Sequence, residues 1–305
     1  MGGVKMELRV LKYFLAVAQT ESISRAAEQL HMTQPTLSRQ LMELEQSLDT
    51  TLFHRGKRNR KVVLTEEGLF LRKRAEEIIA LADRTQAAFT GFDDSIAGDI
   101  YIGAGECDEV RLLARVIKNL RSRYPHIRYH ISSGDMAAVE EQLDKGLIDF
   151  GLMLGPVDGS KYNVLALPET ACWGVLMQKD APLAKKEFIR PRDLWDKPLI
   201  LPRQSTSIDL VIQWLRKSPE DLDILAYYSL AYNASLLAEE GLGYTLSLDR
   251  IINTTGSGLC FRPLAPPIEV HARVAWKKHQ FFSHAAALFL RELQTQLEQS
   301  QDGEL

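Results

Sequence analysis

Cysteine is scarce: three residues in 305, at Cys107, Cys172 and Cys260. Odd in number and far apart, they give neither a disulfide framework nor a zinc-ligand pattern. The seven histidines add no metal motif. His126 and His130 are four apart, but Pro125 and the β-rich residues around them make this a strand rather than one face of a helix. No apolar run approaches the ~18–20 residues that cross a membrane. Met1-Gly2-Gly3-Val4-Lys5 leads into an amphipathic helix rather than a signal-peptide core, and Met6 stands where myristoylation wants Ser or Thr. These absences point to a reducing, cytoplasmic setting without a membrane partner.

Catalytic signatures are missing as well. There is no Gly-x-Ser-x-Gly elbow, no phosphate loop and no His-Glu-x-x-His. Gly103-Ala104-Gly105 follows an expected strand, but Asp108 stands where a dinucleotide fingerprint wants its third glycine. No metal and no cofactor are expected, and the chain is read as a non-enzyme. The competing classes are a cytoplasmic α/β enzyme, or a small-molecule binding protein with a helical head that does not touch DNA. The second fits poorly with a missing export signal and a basic head.

What is present is a sizeable core and an uneven charge. With 45% hydrophobic and 25% charged residues, the chain has material for two or three domains of roughly 100–150 residues each. The formal net charge of −3 divides into +5 over residues 1 to 74 and −8 over the rest. Positive charge at one end is the footprint of a nucleic-acid reader, and an acidic remainder argues against coating by the whole molecule.

Within the basic end, Ser22-Ile23-Ser24-Arg25-Ala26-Ala27-Glu28-Gln29-Leu30 leads through His31-Met32 into Thr33-Gln34-Pro35-Thr36-Leu37-Ser38-Arg39-Gln40-Leu41. Two short helices joined by a tight turn fit here, with the second presented to a DNA groove. Ser22 or Ser24 can cap the first helix and Thr33 the second, while Pro35 sits where its missing N–H costs nothing. Ala26 and Ala27 allow a close crossing. Leu37, Leu41, Leu44 and Leu48 recur on one side, and Gln34, Pro35, Ser38, Arg39 and Met42 fall on the other. Gln and Arg can pair bidentately with base edges, whereas Thr33 and Ser38 can bond phosphate. For any single residue of this face, a solvated helix in an ordinary bundle is the plainer reading. The next segment, Leu52-Phe53-His54-Arg55-Gly56-Lys57-Arg58-Asn59-Arg60-Lys61-Val62-Val63-Leu64, shifts the balance, because two apolar runs flank a cationic tip in the manner of a β-hairpin wing on a phosphate backbone.

Taken with Phe14-Leu15-Ala16-Val17-Ala18, Leu44-Glu45 and Leu64-Thr65-Glu66-Glu67-Gly68, this ordered set resembles the LysR-type transcriptional regulators. The resemblance implies sequence-specific binding of double-stranded promoter DNA under control of a small-molecule effector. It also implies homodimers joined through a long helix, further assembly into homotetramers, and contact with RNA polymerase. Candidate DNA contacts are Ser24, Arg25, Thr33, Gln34, Pro35, Thr36, Ser38 and Arg39 on the helices, with Arg55, Lys57, Arg58 and Arg60 on the wing.

Thr65-Glu66-Glu67 supplies a cap and negative charge for a helix running to about Phe89. Leu71, Ala75, Ile78, Ala82 and Phe89 mark one stripe at near-heptad spacing. That stripe packs either on its own domain or on a second copy, and the resemblance favours the dimer. Gly91 and Asp93 to Gly98 read as a hinge.

From Asp99 the pattern alternates. Strands are expected at 99–103, 127–131 and 148–154, and again at 173–177, 199–201, 224–228 and 244–248. Helices fall between them, at 136–145, 208–217 and 231–240 among others. Short connections predict parallel sheets covered by helices. A strand at 268–276 and a closing helix at 283–297 follow, and residues 299–305 read as a frayed end. By resemblance these last elements return to the first lobe, as in periplasmic binding proteins. The expectation is thus an α/β multidomain chain: a winged helix-turn-helix at 1–64, a linker helix and hinge at 65–92, lobe I from 98–167 with 265–298, and lobe II at 168–264.

Ligands in open α/β sheets lie beyond the carboxyl ends of strands, where N–H groups of the following helices converge. Four turns qualify: Gly105-Glu106-Cys107-Asp108, Ser132-Ser133-Gly134-Asp135, Pro202-Arg203-Gln204-Ser205-Thr206, and Ser229 to Asn233. Candidate effector contacts are Gly105, Glu106, Cys107, Ser133, Asp135, Pro202, Ser205, Thr206 and Asn233. Capping and turn formation explain each of them equally well. The resemblance places Cys107 and Asp135 where such regulators often set a hydroxyl against an effector carboxylate. Glu106 and Asp135 add negative charge there, which sets a cationic, amino-bearing or neutral polar ligand beside a simple carboxylate as an alternative. A thiol at a helix start can have a lowered pKa and become reactive, but Cys107 has no evident resolving partner and is read as a pocket residue.

Overall fold

The computed structural model describes residues 6–54, 61–89 and 97–302. The chain divides between 92 and 93 into two compact units.

In the first unit, α1 (Leu8–Thr20) buries Leu11, Phe14, Ala16 and Val17 along one face. α2 (Ile23–Gln29) is capped by Ser22, whose hydroxyl accepts from Arg25 N–H at 3.4 Å. His31 then takes a left-handed φ of 54°, which turns the chain sharply into α3 (Gln34–Ser47), capped by Thr33 at Thr36 N–H. Fully buried Ala26 and Ala27 let these helices meet over Leu37, Leu41 and Leu44. β1 (Phe53–His54) and β2 (Val63–Leu64) form an antiparallel ladder, Phe53 opposite Leu64 and His54 opposite Val63. Buried Glu45 accepts from Leu52 N–H at 2.7 Å and Phe53 N–H at 3.2 Å, so the wing strand is fastened to α3 by a carboxylate.

Thr65 starts α4 (Glu66–Phe89), accepting from Gly68 N–H at 3.0 Å and donating to Thr51 O at 2.7 Å. The expected single stripe on this helix splits. Leu71 and Ala75 enter the core of the head, and Lys12 reaches Asp83 at 3.0 Å, because α1 lies along that side. Ile78 turns outward with Leu69, Phe70 and Leu81. The side chain of Phe89 and the expected hinge at Gly91 and 93–96 lie outside the described residues.

The second unit holds a continuous run of strands in the order β4-β3-β5-β11-β6-β9-β7-β8, with β10 also paired to β6. β3 (Gly98–Ala104), β4 (Ile127–Ser133) and β5 (Phe150–Leu154) are parallel, as are β7 (Leu199–Pro202), β8 (Ile224–Tyr228) and β9 (Tyr244–Leu248). α5 (Val110–Arg123), α6 (Met136–Asp144), α7 (Ser205–Leu215) and α8 (Ala231–Glu239) connect them. β11 (Glu269–Lys277) and α9 (His284–Asp302) return to the first half, where Ala285, Ala286, Phe289 and Leu293 fill the same core as Ile100, Leu113 and Phe150. A separate core around Val175, Leu199, Val211 and Leu246 makes the second lobe.

Three departures from the sequence reading have physical causes. β6 spans Tyr162–Gln178, seventeen residues, where only Trp173 to Met177 was expected. Pro168 disguised its first half. The ladder with β11 jumps from Thr170–His271 to Ala166–Arg273, so Leu167, Pro168 and Glu169 stand opposite Ala272 alone, where a missing N–H does no harm. β10 (Leu259–Pro263) was not anticipated within a polar, Gly-containing stretch. It closes on β6 because Gly174 has no Cβ, which would meet the Phe261 ring at 2.1 Å. α9 runs to Asp302 rather than fraying at 299, and Ser283 caps it, accepting from Ala286 N–H at 3.2 Å.

Candidate functional site

On α3, Leu37, Leu41 and Leu44 point into the head, which leaves Gln34, Pro35, Arg39 and Met42 exposed and Ser38 half-buried on the opposite side. Glu43 organises that face. Its carboxylate accepts from Arg39 Nε and from Gln40 Nε2, both at 2.8 Å, and so holds the guanidinium along the helix. Thr33 and Thr36 share a 2.8 Å hydroxyl contact at the helix start. Ser24 and Arg25 are exposed on the first turn of α2. The wing candidates Arg55, Lys57, Arg58 and Arg60 lie outside the described residues. At the wing's base, Lys61 pairs with Glu21 at 2.6 Å and Val62 N–H donates to Glu21 O at 2.9 Å. The Lys61 hydrogen bond and charge hold the Glu21 carboxyl below its usual value. No local sequence pattern marks this anchor.

In the second unit the four expected turns converge on one cavity of about 420 Å³. Gly105, Glu106, Ser133 and Asp135 line one side, with Pro202 and Thr206 on the other. Ser205 begins α7, but its side chain lies outside the described residues. Two candidates are not part of the wall. Asn233 is exposed on α8, and Cys107 packs instead against the first-lobe core. The Cys107 thiol is not activated at its helix start: burial, reinforced by the Glu109 carboxylate, pushes it up to about 12.

The two wall carboxylates have different tasks. Asp135 caps its own helix, accepting from Ala138 N–H at 2.9 Å. Glu106 reaches across the cavity, and its Oε2 accepts from Ala231 N–H at 2.7 Å at the start of α8. Arg203 and Gln204 also face the space; Arg203 N–H donates to Tyr228 O, and Gln204 Nε2 donates to Ser229 O. The Tyr228 hydroxyl donates to Leu246 O at 2.8 Å. Burial chiefly, with the Glu106 charge adding to it, pushes that phenol above its ordinary value. Trp173, Leu152, Met153, Leu248 and Ile251 supply an apolar floor. Arg203 and Gln204 lay inside a segment already singled out. Trp173 did not, since a lone Trp at a strand start carries no ligand signal.

A helix-turn-helix head with a wing, followed by a two-lobed α/β unit that encloses a polar-rimmed cavity, defines a ligand-responsive DNA-binding protein. Residues 8–69 match the family described as bacterial regulatory helix-turn-helix protein, lysR family, and residues 93–298 match the LysR substrate binding domain. The chain is 31% identical over 280 residues to the Hca operon transcriptional activator HcaR of Escherichia coli (strain K12), covering 90% of this chain and 92% of that one. It is 32% identical over 198 residues to the HTH-type transcriptional regulator BsdA of Bacillus subtilis (strain 168), covering 65% and 67%. Among solved structures, full-length CbnR in complex with its target DNA superposes with a TM-score of 0.71 at 20% identity, over 95% of this chain and 99% of that one, a likeness of fold. Full-length BenM gives 0.54 at 25% identity, over 98% of both chains. The chain belongs to the LysR family of transcriptional regulators. It is a transcriptional regulator with a helix-turn-helix DNA-binding domain and an effector-binding domain.

Proposed function

We propose that α3 reads the major groove through Gln34, Pro35, Ser38 and Arg39, while Ser24, Arg25, Thr33, Thr36 and the wing cations Arg55, Lys57, Arg58 and Arg60 hold the phosphates. The observation that carries this reading is the division of α3, with leucines inward and a Gln/Arg face outward beside a capped N-terminus. Outward-facing Phe70, Ile78 and Leu81 on α4 support pairing of two heads through that helix. Exposed Ile131 on edge strand β4, and Leu225 and Tyr227 on edge strand β8, offer surfaces for tetramers. RNA polymerase is the remaining macromolecular partner in this reading, and the compartment is the cytoplasm. No helix among the described residues is long and apolar enough to cross a membrane.

The effector sits in the cavity against Gly105, Glu106, Ser133, Asp135, Pro202, Ser205 and Thr206, with Cys107 and Asn233 flanking it. Two carboxylates against one exposed Arg203 favour an amino-bearing or neutral polar ligand over a simple acid. Its leverage on DNA is its difference in affinity between lobe arrangements.

The test of the reader is Arg39→Ala, with binding measured on the preferred fragment and on random DNA. A roughly ten- to hundredfold loss confined to the preferred site is expected of a base contact. An equal loss on both would leave Arg39 a backbone contact only. A thermal-shift screen of amino acids, polyamines and aromatic acids tests the cavity, and stabilisation by dicarboxylates alone would overturn the charge argument.

A further inference from the structure

α8 begins without a cap of its own. Leu230 precedes it with an apolar side chain and no side-chain cap bond forms there, as at α1, α5 and α7, whereas α2, α3 and α6 are capped by their own Ser22, Thr33 and Asp135. The cap comes from the other lobe: Glu106, after β3, accepts from Ala231 N–H at 2.7 Å. An ionised carboxylate at a helix N-terminus makes a charge-assisted bond and complements the helix dipole. It also occupies the position where a ligand anion would otherwise bind.

The same short loop grips the second lobe again. Arg250, in the turn after β9, lies 3.8 Å from Asp108 and 3.6 Å from Glu109. It also reaches Glu169 at 3.4 Å and Asp249 at 3.1 Å. Glu109 is 2% exposed, so Arg250 answers a buried charge. Trp173 lines the same cavity and is 4% exposed, and its indole N–H is buried without an acceptor among the described residues.

We propose that Glu106 is the cleft's own anion: it fills the N-terminal seat of α8, ties lobe to lobe in the absence of effector, and refuses that seat to ligand carboxylates. The effector then presents a hydrogen-bond donor or amino group to Glu106. This rests on the cavity being the effector site. A ligand carboxylate brought to α8 would have to expel Glu106 or lie beside a like charge.

The experiment uses the full-length protein as wild type, Glu106→Ala and Glu106→Gln, with sodium propionate as probe against sodium chloride at equal ionic strength. Amide exchange at Ala231 to Asn233 and the unfolding temperature are followed. In Glu106→Ala these amides should exchange about tenfold faster, the effect of losing one charge-assisted bond, and propionate should slow them again in a saturable way. Wild type should not respond to propionate. Glu106→Gln keeps the shape and serves if the alanine variant folds poorly; it should gain a propionate-dependent rise in unfolding temperature. Unchanged exchange in Glu106→Ala, or an equal propionate response in wild type and either variant, overturns the proposal. Neither arm uses DNA or the natural effector. Propionate rescue without any metabolite binding would therefore sink the effector-site reading alone, and metabolite binding without rescue would sink the latch alone.

Discussion

With its thiol pushed up to about 12 by burial and by Glu109, Cys107 holds almost no thiolate at pH 8, and the thiolate is the nucleophile. Iodoacetamide at that pH should therefore modify Cys107 many times more slowly than a model thiol, and the difference should vanish in urea. Peptide mapping that found Cys107 labelled as fast as the model thiol would contradict the burial argument. Its neighbours show why some site residues were readable and others were not. Helical period alone sorted Leu37, Leu41 and Leu44 from Gln34 and Arg39, because those positions answer to local geometry. The ends of strands pick out Gly105, Ser133, Pro202 and Thr206, and all four line the cavity. The partner of Glu106 was not readable, since no local pattern links that carboxylate to an N–H on another lobe. Glu21 with Lys61, and Trp173 in the cavity, were hidden for the same reason.

At the scale of elements, the junction of wing and long helix depends on one absent side chain. A Cβ on Gly68 would stand 2.2 Å from Leu52 O and 3.0 Å from a Leu64 methyl. Backbone cannot yield there without moving β1, which Glu45 holds from the other side. Gly68→Ala should lower stability by about 1–3 kcal/mol through overpacking and weaken DNA binding by displacing the wing. Thermal unfolding and a binding titration check both, and a variant as stable and as tight as wild type would show that the contact is slack. This also gives the Thr65-Glu66-Glu67-Gly68 run a physical meaning, since Thr65 caps the helix and Gly68 makes room for the strand end. Most helices were legible from period and caps. β6 and β10 were not, because Pro168 and the polar residues near 251–258 gave breaker signals that pairing across the sheet overrode.

Across the whole molecule, several carboxylates titrate below their ordinary values. Arg128, by hydrogen bond, chiefly depresses Asp99, helped by His130. At Glu292 burial pushes upward but is outweighed by Arg123 and Asn119. Groups with depressed folded values contribute stability that is complete above their unfolded values of about 4 and disappears as pH falls through the folded ones. Urea unfolding should thus be level from pH 5 to neutrality on this account and weaken below about pH 4. Asp99→Asn should be less stable than wild type at pH 7 and should converge with it as the pH falls through the depressed value of Asp99. A gap that persisted undiminished in acid would mean that Asp99 acts through packing.

The long, bulged β6 has a mechanical consequence. It leaves one lobe and enters the other as a single strand, and β11 runs back beside it from Cys172 to Tyr162. Neither hydrophobic nucleus can melt without stripping hydrogen bonds from a ribbon that the other still needs. The pair is therefore suited to flexing about a shared spine and ill suited to being cut apart.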